Sequence, residues 1–188
     1  MSVRGLMPVI AVLMVVLALP ASASAAPRPL QETGGAQFGG TPLPQLTVPG
    51  DVAVLGPDGL AAAPLNAPPA VQAAIWAANT IQTKPYVFGG GHGDFEAEGY
   101  DCSGTVSFAL NAAGLLRRPR ASGGFMRYGK PGPGRWITVY AHGGHAYMVI
   151  AGLRLDTSAA GAGGGSGPRW RAGGRPTRGY KVRHPVGF

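Results

Sequence analysis

Apolar side chains recur at helical spacing in two stretches of the chain. Residues 71–81 follow a period close to 3.6, and Pro85 comes shortly after the predicted end of this helix. Residues 103–116 repeat the same period, and the basic pair Arg117-Arg118 follows them. The first turn of the second helix therefore falls at Asp101-Cys102.

Three later runs have the length and apolar content of β-strands: residues 136–140, 146–151 and 153–157. Residues 180–184 predict a closing strand, and the Gly-rich stretch 159–167 predicts a flexible loop. Helices followed by consecutive strands indicate an α+β fold, in which the helices pack against an antiparallel sheet.

The N-terminus has the pattern of a secretory signal peptide. Arg4 precedes an apolar run from residue 6 to residue 19, and alternating alanines then offer A-x-A cleavage sites. We predict a signal peptide over residues 1–26 and a secreted, cell-wall-associated protein with no membrane span after cleavage. An uncleaved anchor is the alternative, and it also places the remainder outside the cytoplasm.

The next 44 residues, 27–70, contain nine prolines and seven glycines. This share is typical of low-complexity chain, so we predict a linker or pro-segment. The remaining residues, 71–188, are enough for one small catalytic domain, which we expect to be monomeric.

The charge is concentrated toward the C-terminus. The whole chain carries +8, and removal of the leader lowers this to +7. From residue 115 onward thirteen Arg and Lys accompany a single acid, Asp156. Outside the cell such a basic half favours anionic cell-wall polymers over nucleic acid, and a solvated face without a partner is the alternative.

Cys102 is the single cysteine, so no intramolecular disulfide can form. A free cysteine by itself fits a packing role. At a predicted helix N-terminus, however, unpaired N–H groups and the helix dipole favour the thiolate, which is the nucleophilic form. The same N–H groups would bind the oxyanion of an intermediate.

A cysteine nucleophile needs a base, and four histidines are available: His92, His142, His145 and His184. His145 is the first candidate because it stands where a Gly143-Gly144 turn enters a predicted strand, so a rigid element can hold its ring; His142, in the loop, is the second. Asp156 is the candidate that orients the imidazole. An even-numbered hairpin loop places residues 145 and 156 on one face of the sheet, and an odd-numbered loop separates them.

Other chemistries fit the sequence poorly. One Cys with scattered His, without C-x-x-C or H-E-x-x-H, argues against a zinc site. The string Gly89-Gly90-Gly91 lacks the spacing and the following Lys of a phosphate loop. We therefore expect no metal and no cofactor.

Three motifs together resemble the NlpC/P60 family of papain-like cysteine peptidases. They are Tyr86-Val87-Phe88-Gly89-Gly90, then Asp101-Cys102-Ser103-Gly104, then Gly144-His145-Ala146-Tyr147-Met148-Val149 followed by an acid. The resemblance spans about residues 71–157. It departs from the family at Phe88, where a Trp is usual, and at residues 135–139, where the family has Gly-Asp-Leu-Val.

The resemblance implies a papain-like α+β fold and a role for each matching residue. Cys102 would be the nucleophile, His145 the base and Asp156 the third member of the triad. Tyr86 would lie near the oxyanion or the substrate, and Asp101 and Ser103 would help to recognise the peptide. Family members typically cut peptidoglycan stem peptides between D-glutamate and the following diamino acid.

The sequence thus predicts a secreted cysteine endopeptidase that hydrolyses amide bonds of peptidoglycan stem peptides through Cys102, His145 and Asp156. Two rival functions remain open at this level. The same Cys-His pair would serve an acyltransferase or amidase on another substrate. Alternatively, the protein would be a non-catalytic wall-binding protein that uses its basic surface.

Overall fold

The computed structural model describes residues 44–158 and 165–188, and in them it shows a mixed α+β fold. The predicted α+β class is confirmed. The elements, in chain order, are β1 (Thr47–Val48), β2 (Val54–Leu55), β3 (Ala61–Pro64), α1 (Pro69–Thr80), α2 (Cys102–Ala112), α3 (Ser122–Phe125), β4 (Lys130–Pro131), β5 (Ile137–His142), β6 (His145–Ile150), β7 (Leu153–Ser158), β8 (Gly165–Arg171) and β9 (Lys181–His184).

The larger sheet has six antiparallel strands in the order β4-β9-β5-β6-β7-β8. Its centre is the meander β5-β6-β7, in which β6 and β7 are joined by the two residues Ala151 and Gly152. Both have positive φ, 47° and 86°, as a two-residue type I′ hairpin requires. This turn fixes the register that aligns Met148 with Leu155.

One hydrophobic core joins α1 and α2 to this sheet. Val106, Ala109 and Leu110 of α2 are fully buried in the same cluster as Met148 and Ile150 of β6. The alternation along β6 therefore sends Ala146, Met148 and Ile150 to the core, and His145 and Tyr147 to the other face. The N-terminal end of α2 lies close to the start of β6, which brings the candidate residues together.

Residues 44–70, part of the expected linker, contain β1, β2 and β3 and the first two residues of α1. The three strands form a small sheet in the order β1-β3-β2 that packs on α1. Ala61 and Ala63 are fully buried in the main core. Asn79 of α1 is buried and bonds both the N–H and the C=O of Ala61 at 2.9 Å. The small alanine side chains allow this close packing. The Pro and Gly content, on which the linker expectation is based, gives no indication of such packing.

Several element boundaries differ from the sequence expectations. The two helices and strands β5, β6, β7 and β9 are present, whereas β8 begins inside the stretch predicted to be a loop. Residues 159–164 of that loop, and the whole predicted signal peptide, lie outside the described residues. No helix within the described residues has the length and apolar character needed to cross a membrane.

Candidate active site

Cys102 is the first residue of α2, and Asp101 is its N-cap. The Asp101 carboxylate accepts a hydrogen bond from the Gly104 N–H at 2.7 Å and from the Ser103 hydroxyl at 3.1 Å. The first N–H groups of a helix have no intrahelical acceptor, so the backbone N–H of Cys102 is available to a group bound beside the thiol. The cap therefore fixes the position of Cys102.

The glycine turn ahead of α2 packs directly against its first turn. A methyl group at Gly104 would come within 2.0 Å of the Gly90 carbonyl oxygen. The Asp101 carboxylate also accepts from the Gly89 N–H at 3.2 Å, and the Asp101 N–H donates to the Gly90 oxygen at 3.2 Å. Turn and helix thus form one unit.

His92 belongs to the same unit. Its Nε2 lies 3.0 Å from both the Asp101 Oδ1 and the Ser103 Oγ. Asp101 and Ser103 are nearly inaccessible to solvent, whereas a third of the His92 side chain is exposed. The two residues expected to recognise peptide are therefore engaged in internal hydrogen bonds, and His92 is the member of the trio that reaches the surface.

On the sheet side, His145 begins β6 and Asp156 lies on β7. The register pairs Met148 with Leu155, so the two-residue loop is the even-numbered alternative and both side chains lie on one face. His145 Nε2 is 2.9 Å from Asp156 Oδ1. Because ionised Asp156 is an acceptor only, Nε2 carries the hydrogen of this bond, which leaves Nδ1 as the ring nitrogen available to Cys102.

The Asp156 carboxylate is completely buried and receives several donors. Its Oδ1 accepts from the N–H and the hydroxyl of Ser158 at 3.0 and 3.2 Å. Its Oδ2 accepts from Arg175 Nη1 at 2.7 Å, and the buried Arg154 Nη1 lies at 3.4 Å. Burial raises the pKa of this carboxyl, but the hydrogen bonds from His145, Ser158 and Arg175 outweigh burial and lower it.

The imidazole of His145 stands between this carboxylate and the cysteine. Burial lowers its pKa, yet hydrogen bonds to Asp156 and to the Cys102 thiol raise it to about 9. At neutral pH His145 is accordingly an imidazolium next to Cys102. An imidazolium in contact with a thiol stabilises the thiolate and holds a proton ready for a leaving group.

A cavity of about 240 Å³ opens at Cys102. Its lining includes Tyr86, Phe88 and His92 from the chain ahead of α2, and Ser122 and Gly143 from the chain after it. The Phe88 side chain is 91% exposed, so the mouth of the cavity is partly apolar. Burial, followed by the charges of Cys102 and Asp101, raises the pKa of Tyr86, so its hydroxyl stays protonated and can donate a hydrogen bond.

The structure brings Cys102, His145 and Asp156 together and places Tyr86, Asp101 and Ser103 around the same cavity. His142, the second candidate base, instead accepts a hydrogen bond from the Gly144 N–H at 3.0 Å through Nδ1. Among the described residues, no group of three or more His, Cys, Asp or Glu side chains is placed to bind a metal ion.

From the sequence alone, no role is predicted for Arg175, and His92 is only one of four available bases. Arg175 comes from the segment 172–180, which follows β8 and shows no periodicity. His92 stands in a glycine-rich turn, where a lone histidine is usually a surface residue. The only sequence signal for Arg175 is that, from residue 115 onward, Asp156 is the one acid among thirteen basic residues.

Comparison with known proteins gives a weak likeness. No protein-family model matches the chain, and no curated protein matches it in sequence. Among solved structures the chain is similar to NlpC1 from Trichomonas vaginalis, with a TM-score of 0.43 and 16% identity. The match covers 62% of this chain and 44% of that one, so the chain spans less than half of the neighbour's length.

Proposed function

We propose that this protein is a papain-like cysteine peptidase of the NlpC/P60 type that hydrolyses amide bonds in peptidoglycan stem peptides. The observation that carries the proposal is the position of His145, hydrogen-bonded to the buried Asp156 on one side and to the Cys102 thiol on the other. A buried Cys in a packing role needs neither partner.

In the proposed reaction the Cys102 thiolate attacks the amide carbonyl carbon. The backbone N–H of Cys102 and the Tyr86 hydroxyl stabilise the oxyanion. His145 transfers its Nδ1 proton to the leaving amine, and the C–N bond breaks to give a thioester. Neutral His145 then removes a proton from water, which attacks the thioester and releases the acid and Cys102. These steps need no cofactor.

The substrate class and the place of action rest on the sequence. The motif resemblance implies the bond between D-glutamate and the following diamino acid. The predicted leader implies an extracytoplasmic protein, and the basic C-terminal half favours additional contact with anionic wall polymers. We propose that the protein acts there as a monomer.

The test is digestion of purified peptidoglycan of several cross-bridge chemistries by the mature protein, followed by mass spectrometry of the fragments. We expect new free carboxyl and amino termini with wild type and none with Cys102→Ala. Arg178→Ala is the matched control, because this residue is exposed and does not line the cavity. Absence of Cys102-dependent cleavage from every wall type would overturn the proposal.

The same digestion separates the rival functions when it is run in ¹⁸O-labelled water. Hydrolysis places one labelled oxygen in each new carboxyl group, whereas acyl transfer to an amine gives an unlabelled adduct. A wall-binding protein without catalysis would sediment with peptidoglycan equally well as wild type and as Cys102→Ala, and it would release no fragment.

A further inference from the structure

Arg175 lies at the point where the segment 172–180 meets the candidate triad. Its Nη1 donates to Asp156 Oδ2 at 2.7 Å and to Ser158 Oγ at 2.8 Å. The same nitrogen lies 3.3 Å from His145 Nε2, which is itself a donor to Asp156. One guanidinium nitrogen thus lies against the His145 imidazole and against the two side chains beside it, Asp156 and Ser158.

The guanidinium is held on its other side by two aromatic rings. Its central carbon is 5.1 Å from the ring centre of Tyr147 on β6 and 5.6 Å from that of Tyr180. The two rings meet edge to face at 5.2 Å. A cation within about 6 Å of an aromatic face is attracted to it, so these rings fix the direction of Arg175.

We propose that Arg175 is a positioning residue of the active site, which orients His145 by holding the Asp156 carboxylate. This inference rests on the proposed function for its kinetic consequence, but not for its geometry. A carboxylate with one free oxygen could rotate about χ2. Because Oδ2 is bound to Arg175 and Oδ1 to Ser158, the carboxylate plane is fixed. The Oδ1 lone pair that accepts from His145 Nε2 then points in one direction.

The charge balance around Asp156 explains why Arg175 would matter more than an ordinary surface cation. Charged and titratable groups lie around this carboxylate on five elements: His145 and Tyr147 on β6, Arg154 on its own strand, Arg169 on β8, Arg175 and Tyr180 in the C-terminal segment, and Cys102 on α2 across His145. Arg169 is the cross-strand partner of Asp156, but its Nη1 donates to the Lys84 and Pro168 carbonyl oxygens. Arg154 Nη1 lies at 3.4 Å and is not hydrogen-bonded to the carboxylate. Arg175 therefore provides the direct charge-assisted hydrogen bond.

The test compares wild type with Arg175→Gln, which removes the charge and shortens the side chain but keeps a polar amide. We expect kcat on a stem peptide to fall by about 10²-fold with little change in KM, as for a catalytic group displaced by about 1 Å. We also expect the acidic limb of the pH–rate profile to move to higher pH, because the carboxyl loses a cation that favours its ionised form. Arg178→Gln in the same segment is the control and should change neither.

Alkylation of Cys102 by iodoacetamide over the same pH range gives a readout that requires no hydrolysis. In Arg175→Gln its acidic limb should shift in the same direction as the pH–rate profile. If wild type cleaves no wall peptide but this limb shifts, the proposed function fails and the inference about Arg175 stands. An unshifted limb in a folded Arg175→Gln protein overturns the inference.

Arg175→Lys decides the matter if Arg175→Gln does not fold by circular dichroism. Lysine keeps the charge but does not reproduce the planar guanidinium, which contacts Asp156 Oδ2, Ser158 Oγ and both aromatic rings. A smaller loss of kcat with an unchanged acidic limb supports positioning through Asp156. Wild-type kcat in Arg175→Lys contradicts it, because a point charge alone would then suffice.

Discussion

The two sides of the candidate active site are built differently. On the helix side, the glycine turn, Asp101, Cys102 and Ser103 lie within 16 consecutive residues, 89–104, and are joined by backbone contacts and a helix cap. On the sheet side, His145, Asp156 and Arg175 come from two strands and a distant segment and are joined through buried charges. The helix side therefore depends on steric fit and on the local hydrogen bonds of Asp101, whereas the sheet side depends on strand register and on long-range electrostatic contacts.

The largest effect is expected from removal of the base on the sheet side. His145→Gln keeps a polar side chain but cannot transfer a proton, so we expect kcat/KM on a stem peptide to fall by about 10⁴-fold. The measurement is the steady-state rate of the purified variant, with its urea unfolding curve to show that it is folded.

The matched control is His142→Gln, which changes the residue on the other side of the Gly143-Gly144 turn. Its imidazole faces Tyr180 at 4.6 Å between ring centres and accepts from a backbone N–H. We expect activity close to wild type. A large loss for His142→Gln together with a small loss for His145→Gln would reverse the assignment of the base.

The contrast between the two sides also explains what could be predicted from sequence. Helix α2, its start at Cys102 and the β6–β7 hairpin follow from local periodicity, so Cys102, His145 and Asp156 could all be proposed as partners. The choice between an even and an odd hairpin loop could not be made, because Ala151 is not a residue that signals positive φ.

Strand β8 and Arg175 escaped prediction for a related reason. The sequence of β8 is rich in Gly and contains Pro168, which argues against a central strand. As the edge strand of the sheet, β8 tolerates a residue without an N–H. The contact of Arg175 with Asp156 depends on this strand and on the segment after it, so no local pattern encodes it.

A second prediction concerns the pH dependence of stability on the sheet side. The pKa of His145 is raised from about 6.5 when unfolded to about 9 when folded, despite burial, by its bonds to Asp156 and Cys102. Such a group stabilises the fold fully below pH 6.5 and ceases to do so as pH rises through 9. This contribution amounts to roughly 3 kcal/mol.

Urea unfolding at a series of pH values from 6 to 10 measures it. The free energy of unfolding of wild type should decrease across this range, and His145→Gln should show a much flatter dependence. If the free energy of unfolding depended equally on pH in the two proteins, His145 would not be protonated in the folded state at neutral pH. That result would contradict the role assigned to charge on the sheet side.

The smallest effect is expected on the helix side, from a substitution that disturbs only the steric fit between the glycine turn and α2. A methyl group at Gly104 would lie 2.0 Å from the Gly90 oxygen and 3.2 Å from the Gly91 Cα, so the turn must move. We expect Gly104→Ala to reduce the free energy of unfolding by about 2 kcal/mol, as other overpacked sites do. Gly123→Ala in α3 is the control, since a methyl group there meets no atom within 4 Å.

Because the clash involves no charge, the loss in Gly104→Ala should be the same at pH 6 and pH 9. A loss that varies with pH would show that the two sides are coupled electrostatically after all.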